Sequence, residues 1–206
     1  MTERILLLHP GEMGSSIGAA LRIAGHSVSW VSEGRTEATQ QRASHAGLNS
    51  CNDLENALRE VDHVVSVCPP HAAVDVAEAV AQIGFQGTYV DANAISPASA
   101  SRVSEIVGVG FVDGGIVGPP AWRAGSTRFY LSGDTADHVA SWFEGTLVDA
   151  RVVDGSASAL KMCYAANTKG TSALELAIRA LADSKGVSDA LLAEWDISQV
   201  GLADRS

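Results

Sequence analysis

Two glycines near the start of the chain, Gly11 and Gly14, have the spacing of a turn that binds phosphate groups. They follow a short apolar run, Ile5-Leu6-Leu7-Leu8, and precede a segment with the composition of a helix, residues 15–24. Such a turn offers a ligand unpaired helix amides and the positive end of a helix dipole. His9 stands where these turns usually begin with glycine. The residues predicted to hold a dinucleotide pyrophosphate are Gly11, Glu12, Met13 and Gly14.

The end of the second predicted strand bears on which dinucleotide is bound. Many NAD sites place Asp or Glu there to bind the ribose 2′-hydroxyl. Here the strand Val28 to Val31 is followed by Ser32, Glu33 and Arg35. Ser32 can hydrogen-bond a 2′-phosphate and Arg35 can neutralise it, which favours NADP. Glu33 turned inward would favour NAD instead, and Arg35 could equally be a solvated surface charge.

Lys161 lies in an otherwise apolar helical segment, beside Leu160 and Met162. A partly desolvated lysine next to a cationic ring can give or take a proton. Tyr164 follows three residues later on the same helical face, where it could hydrogen-bond a reacting oxygen. A lone lysine in an apolar helix is more often a surface residue that extends its charge into solvent. The spacing alone leaves both roles open.

A different chemistry is suggested by Gly14-Ser15-Ser16-Ile17-Gly18, which matches the G-x-S-x-G pattern around a hydrolase nucleophile. That pattern needs earlier strands to supply an oxyanion-hole amide, and a single predicted strand precedes Ser16. A serine hydrolase acting through Ser16 is therefore the less favoured alternative.

The elements that must position these residues alternate along the first three quarters of the chain. Short apolar runs are separated by helical segments, which predicts an α/β fold with a doubly wound, Rossmann-type, mostly parallel sheet. The predicted later strands are 64–67, 88–91, 110–113, 127–131 and 152–153, and the predicted later helices are 36–46, 53–61, 72–83, 97–107 and 136–143.

The pattern changes after Asp154-Gly155. A helix of about 30 residues is predicted from Ser156 to Lys185, which is longer than most globular helices. A second helix is predicted over 188–200. We expect a Rossmann domain over 1–154 and, over 155–206, a connecting helix with the start of an incomplete helical C-terminal domain. A second copy of the chain, or residues absent from it, would cover these helices.

Composition narrows the classes of partner. The chain has 206 residues, 46% of them hydrophobic, and a formal net charge of −10, which argues against nucleic acid or an anionic membrane as the main partner. Three widely spaced cysteines predict no disulfide framework and no zinc site. No signal peptide or membrane span is predicted, so a cytoplasmic location is expected.

Four segments of the chain occur in the order found in the 6-phosphogluconate dehydrogenase and β-hydroxyacid dehydrogenase superfamily. They are His9-Pro10-Gly11-Glu12-Met13-Gly14, Val67-Cys68-Pro69-Pro70, Val90 to Pro97, and Gly155 with Lys161. The chain most resembles the phosphogluconate-dehydrogenase-like NAD(P)-binding oxidoreductases, through residues 113–120 and 159–166. The resemblance implies a homodimer formed through the C-terminal helices. It also implies hydride transfer between a nicotinamide and a small carbonyl, imine or alcohol carbon.

The resemblance also assigns residues. It implies that Cys68, Pro69 and Pro70 line the cofactor, that Asn93 lies where substrate meets nicotinamide, and that Lys161 is the catalytic proton donor or acceptor. The chain departs from the family pattern at three places: Val117-Gly118-Pro119 replaces a Ser-Gly-Gly loop, Ala94 replaces threonine, and Ala165 replaces asparagine. A simple hydroxyacid is therefore a poor substrate candidate, and a non-catalytic NADP-binding protein is the alternative function.

Overall fold

The strands of the computed structural model, which describes residues 2–108, 110–199 and 201, form one eight-stranded sheet in the order β3-β2-β1-β4-β5-β6-β7-β8. They are β1 (Arg4–Leu8), β2 (Ser27–Val31), β3 (Asn49–Cys51), β4 (His63–Ser66), β5 (Thr88–Asp91), β6 (Phe111–Val117), β7 (Thr127–Ser132) and β8 (Val148–Val152). Neighbouring strands run parallel except β6 and β7. The predicted α/β fold with a mostly parallel, Rossmann-type sheet is confirmed.

Several helices begin at residues whose side chains satisfy free backbone amides. Thr36, Asp53 and Ser96 each accept a hydrogen bond from the amide three residues later, so they cap α2, α3 and α5. The helices are α1 (Glu12–Ile23), α2 (Glu37–His45), α3 (Leu54–Arg59), α4 (Ala73–Gln82), α5 (Pro97–Val107), α6 (Ala136–Ser141), α7 (Ala157–Ser184) and α8 (Ser188–Ser198), with a 3-10 turn at Pro70–Ala72.

The sheet is covered on both faces, as its uninterrupted apolar strands require. Ile5 and Leu7 of β1 pack into one core layer with α1, α2 and α6. Leu6 and Leu8 of the same strand pack into the other layer with α3, α4 and α5. Alternate residues of one strand therefore serve two separate cores, which makes the sheet doubly wound.

Three strands differ from the sequence-based expectation. β3 was not predicted because it is a three-residue edge strand whose first two residues are polar and exposed, paired with β2 through Ser29, Trp30 and Val31. β6 continues past the predicted end at Asp113, because its glycines allow close contacts: a Cβ on Gly114 would lie 2.7 Å from the Asp91 carbonyl oxygen. β8 ends at Val152 rather than starting there, since it pairs with β7 from Val148 onward.

The chain forms two compact units, residues 1–162 and 163–206. The predicted long helix is confirmed as α7, which continues into the second unit, and the predicted last helix corresponds to α8. Val200, the predicted end of that helix, lies outside the described residues. The division into domains at residue 154 stays a prediction.

Within the described residues, no helix is both long enough and apolar enough to cross a bilayer.

Candidate functional site

The strand order reverses between β1 and β4, and this reversal creates a crevice at the carboxyl ends of the strands. The glycine turn leaves β1 at this edge. Cys68, Pro69 and Pro70 follow β4 at the same edge, and Asn93 follows β5. The fold therefore brings three separately predicted segments to the place where open α/β sheets bind ligands.

The two glycines of the turn have different physical roles. Gly11 is the N-cap of α1, and a Cβ there would meet no atom within 4 Å, so space lies in front of the helix amides. No side chain caps this helix. A Cβ on Gly14 would lie 2.4 Å from the His9 carbonyl oxygen and 3.4 Å from Val67 Cβ. Gly14 is thus required for packing, and Gly11 leaves room for a ligand.

His9 occupies the position where the fingerprint expects a glycine, and its backbone lies in a region that favours glycine. Its φ is 70°, a left-handed value that costs a residue with a side chain on the order of 1 kcal/mol. Burial, and then the nearby Arg35 charge, lowers the pKa of His9 to about 4. The imidazole is therefore neutral near pH 7, and its buried Nδ1 has no partner among the described residues.

A cavity of about 230 Å³, here called the Arg35 cavity, lies beside this turn. Its lining residues are Leu8, His9, Val31, Arg35, Leu54, Asp75, Val76 and Ala79. Ser32 faces a different recess, and its hydroxyl donates to the Cys51 carbonyl oxygen over 3.0 Å. Glu33 is exposed, and its amide donates to Asn52. Of the three residues that bear on NADP selectivity, Arg35 is the one that lines this cavity.

A second cavity, of about 240 Å³ and here called the Lys161 cavity, brings together much of the predicted site. Its lining residues are Met13, Val67, Cys68, Pro70, Ala92, Asn93, Ala94, Ile116, Gly118 and Lys161. Met13 is also one of the residues predicted to hold the pyrophosphate, so this cavity adjoins the predicted pyrophosphate site. Burial raises the pKa of the Cys68 thiol, which disfavours the thiolate and leaves Cys68 a poor nucleophile.

Asn93 is 3% exposed and holds the cavity wall together. Its Oδ1 accepts the Cys68 amide over 2.5 Å, and its Nδ2 donates to Asp91 Oδ2 over 2.9 Å and to Ser66 Oγ over 3.2 Å. These bonds join the ends of β4 and β5. Asn93 therefore positions the backbone of the loop at Cys68 as well as lining the cavity.

Lys161 reaches the cavity because the start of α7 is fixed against β6. Asp113 Oδ2 accepts the Ser158 amide over 2.9 Å, and the Ala157 amide donates to Ser132 Oγ over 3.0 Å. A Cβ on Gly115 would lie 2.7 Å from the Ala157 carbonyl oxygen and 3.1 Å from Lys161 Cβ. The helix therefore lies directly on the strand.

The Lys161 side chain is also held at its end, since Nζ donates to the Ile116 carbonyl oxygen over 2.5 Å.

Several anchoring residues were not predicted from the sequence. Asp113, Ser132 and Gly115 fix α7, and Arg42 Nε donates to the Pro10 carbonyl oxygen over 3.4 Å, which steadies the glycine turn. The signal that could have identified Asp113 is a carboxylate at the end of an apolar run, ahead of a helix rich in serine at its start.

The remaining predicted residues are not among the lining residues of these two cavities. Glu12 and Pro69 are exposed. Tyr164 belongs to the second unit, where its side chain is 45% exposed, and its role stays a prediction. Ser16 is 0% exposed and its hydroxyl accepts the Ala121 amide over 2.9 Å. That burial counts against Ser16 as a hydrolase nucleophile.

The buried Asp91 carboxyl should give the protein a measurable pH dependence. Burial, with a smaller effect of Asp113, raises the pKa of Asp91 to about 6, although bonds from Asn93 oppose the shift. The stability that Asp91 provides is therefore full below about pH 4 and is lost as the pH rises through about 6. In urea unfolding, the stability of Asp91→Asn relative to wild type should rise between those pH values, on top of a constant offset from the altered hydrogen bonds.

Asp53→Asn is the control of opposite sign, because bonds from Asn56 lower the pKa of Asp53. The stability of Asp53→Asn relative to wild type should fall as the pH rises. A pH-independent difference for Asp91→Asn would show that this carboxyl titrates normally.

The chain has relatives among known proteins. A curated relative, an uncharacterised 28.5 kDa protein in the 7S RNA 5′ region of Methanothermus fervidus, is 29% identical over 164 residues. The match covers 78% of this chain and 63% of the relative, so the chain spans less than two thirds of that protein's length.

Solved structures show the same fold. A conserved protein of unknown function, described as structurally similar to 3-hydroxyacid dehydrogenases, is 27% identical with a TM-score of 0.75, and the match covers 96% of this chain and 77% of that one. A V8 variant of the imine reductase from Myxococcus stipitatus, solved with NAD⁺, is 20% identical with a TM-score of 0.72, covering 99% of this chain and 75% of that one.

The family comparison covers most of the first unit. Residues 6–141 match the family described as the NAD binding domain of 6-phosphogluconate dehydrogenase. The resemblance predicted from the sequence motifs is thereby confirmed. The chain belongs to the family of the 6-phosphogluconate dehydrogenase NAD-binding domain.

Proposed function

We propose that this chain belongs to an NADP-dependent oxidoreductase that moves a hydride between the nicotinamide and a small carbonyl, imine or alcohol carbon. The observation that carries the proposal is the Lys161 cavity, where Lys161, Asn93 and Cys68 meet at the carboxyl edge of the sheet beside Met13 of the glycine turn. A proton donor and a dinucleotide turn that share one crevice are what a hydride-transfer site requires.

The residues present fit a dinucleotide. The uncapped start of α1 and the space in front of Gly11 suit a pyrophosphate, and the Arg35 cavity suits a ribose phosphate. NADP is favoured because the guanidinium of Arg35 can pair with a 2′-phosphate. Ser32 contributes less than its sequence position suggested, since its proton is already donated to Cys51. When bound, the nicotinamide ring gives or accepts the hydride.

Lys161 donates or accepts the proton that accompanies the hydride. Reduction of a carbonyl or imine adds a hydride to carbon and a proton to oxygen or nitrogen, and oxidation removes both. The bond from Nζ to Ile116 fixes the nitrogen at the cavity wall, where it can donate to or accept from the substrate. Asn93 keeps the opposite wall in place through its bonds to Cys68 and Asp91.

The cavity lining favours a small and largely apolar substrate. Met13, Val67, Ala94 and Ile116 supply aliphatic surface, and Lys161 is the one charged residue among the described lining residues. A phosphorylated sugar acid would need several cationic contacts. We therefore propose a simple aldehyde, ketone or imine, or the corresponding alcohol or amine, as the substrate class.

The proposal includes a cytoplasmic location and a homodimer formed through the C-terminal helices. Cys51, Cys68 and Cys163 are free thiols, which suits a reducing compartment. Within the second unit, Leu174 and Leu181 of α7 are 61% and 60% exposed and lie seven residues apart, on one face of the helix. Exposed leucines in register along a helix are typical of a surface that another helix covers.

The cofactor assignment predicts a selective effect of Arg35→Ala. Loss of one charge-assisted bond to a 2′-phosphate should cost about 1.5–3 kcal/mol and weaken NADPH binding about tenfold or more, while NADH binding is unchanged. Titration of tryptophan fluorescence with each dinucleotide measures this. Tighter binding of NADH than NADPH by the wild type would transfer the selectivity to Glu33.

The turn is tested in the same assay. Gly11→Val should weaken the binding of both NADPH and NADH, because the valine side chain enters the open space at the turn. Gly170→Val, on α7, is the control and should weaken the binding of neither dinucleotide.

The proton-transfer assignment predicts that Lys161→Ala loses about 10²–10⁴ of kcat. A screen of aldehydes, ketones, imines and hydroxyacids with NADPH supplies the assay. NADPH affinity should change little, and Lys161→Arg should not restore turnover because arginine keeps its proton.

Two further variants calibrate this result. Tyr164→Phe should lower kcat less than Lys161→Ala does, and Lys169→Ala, which removes another lysine of α7, is the matched control. Full turnover by Lys161→Ala would make the lysine structural, and no turnover of any class would favour the non-catalytic NADP-binding alternative.

The dimer assignment predicts that Leu181→Glu shifts the protein toward monomer in sedimentation velocity. Leu176→Glu is the matched control, because Leu176 is 65% exposed but lies about 200° around the helix from Leu174. A wild-type protein that sediments as a monomer at all concentrations would contradict the assignment.

A further inference from the structure

Three potential metal ligands meet at the amino edge of the sheet, opposite the edge that carries the glycine turn. Glu3 lies just before β1, His63 begins β4, and His138 lies on α6. One oxygen or nitrogen from each side chain lies within 4.8 Å of the others. We propose that Glu3, His63 and His138 bind a transition-metal dication, with Zn²⁺ as the preferred ion, at a site separate from the dinucleotide crevice.

The distances suit such an ion. Glu3 Oε2 lies 3.1 Å from His63 Nε2, and Glu3 Oε1 lies 3.7 Å from His138 Nε2. Zinc–nitrogen and zinc–oxygen bonds of about 2.0–2.2 Å place tetrahedral ligands about 3.3–3.5 Å apart. The two observed separations, which involve different oxygens of the Glu3 carboxylate, lie on either side of this value. The His138 side chain is 50% exposed, so it has room to move toward a shared ion.

The ligand types define the class of ion. Two imidazoles and one carboxylate favour zinc and its transition-metal neighbours over Mg²⁺ or Ca²⁺, which prefer oxygen ligands throughout. Three protein ligands leave a fourth tetrahedral position for water.

The negative charge of the Glu3 carboxylate is not compensated by the neighbouring arginine, Arg4. The Glu3 side chain is 17% exposed, and the contacts recorded for its carboxylate are with the two imidazoles, at 3.1 and 3.7 Å. Arg4, next in sequence, is already held by Asp62 through bonds of 2.8 and 2.6 Å. A dication between the imidazoles would compensate the Glu3 carboxylate where Arg4 does not.

Neighbouring groups hold the ligands in place. His26 Nδ1 accepts the Glu3 amide over 3.1 Å, and its Nε2 lies 3.1 Å from the Trp142 carbonyl oxygen, which it can reach as a donor. The Trp142 ring lies 4.6 Å from the His63 ring and 5.6 Å from the His138 ring, between centroids. Trp142 is 1% exposed, so both imidazoles lie against a buried ring.

The hydrogen bond that the His138 ligand atom accepts in the cluster is weak. The bond from Trp142 Nε1 to His138 Nε2 is long, at 3.4 Å, and a metal would replace it. Because the residue before β1, the first residue of β4 and a residue of α6 each supply one ligand, the ion would cross-link the first unit and stabilise it.

The test is calorimetric titration with ZnCl₂, with thermal unfolding as the second readout. Cys51→Ser and Cys163→Ser form the background, because the half-buried and exposed thiols would otherwise bind zinc. We expect one zinc ion per chain and a Tm that rises with zinc concentration but not with Mg²⁺.

The ligand variants decide the outcome. His138→Ala and Glu3→Gln should each weaken zinc binding at least about 10–100-fold, the range known for outer partners of metal ligands. His45→Ala, which removes an exposed histidine from α2, should bind zinc as the background protein does. Absence of zinc binding, or weak binding at many sites that His138→Ala leaves unchanged, would overturn the proposal.

Discussion

The candidate site depends on the contact between the first turn of α7 and β6. Gly115 has no side chain to hold the helix away, and the Asp113 carboxylate and the Ser132 hydroxyl bind the amides of Ser158 and Ala157. Larger residues at Gly115 would collide with the backbone of the helix, which cannot rotate aside as a flexible side chain can. The position of Lys161 is therefore set by a strand glycine and a strand carboxylate, not by the helix sequence.

This arrangement explains why Lys161, in an apolar helical segment, lines a cavity instead of extending into solvent. Its stem lies over β6 and its Nζ binds the Ile116 carbonyl oxygen. The sequence pattern around Lys161 is equally compatible with a surface lysine, because it contains no information on Gly115. The distinction comes from tertiary packing.

Much of the fold could be predicted because buried parallel strands are short apolar runs, as in Ile5-Leu6-Leu7-Leu8. The polar edge strand β3 lacks that signal, since it is stabilised by pairing with β2 and not by its own burial. In the candidate site, motifs singled out the turn glycines and Lys161, and their roles stay predictions. The direction of the Ser32 hydroxyl was not identifiable from motifs, and neither was the Glu3–His63–His138 cluster, in which the first two ligands lie 60 residues apart. Contacts of this kind arise from strand order, which no local pattern contains.

The neutral imidazole of His9 has a consequence for the kinetics of cofactor capture. With its pKa lowered to about 4, His9 adds no positive charge to the mouth of the Arg35 cavity near pH 7. The whole chain carries a formal charge of −10, so at long range the net charge repels an anionic dinucleotide, and added salt screens that repulsion. Attraction by Arg35 and by the uncapped start of α1 acts at short range. Tight binding at this crevice would arise from slow release, through short-range amide and guanidinium contacts, rather than from fast arrival.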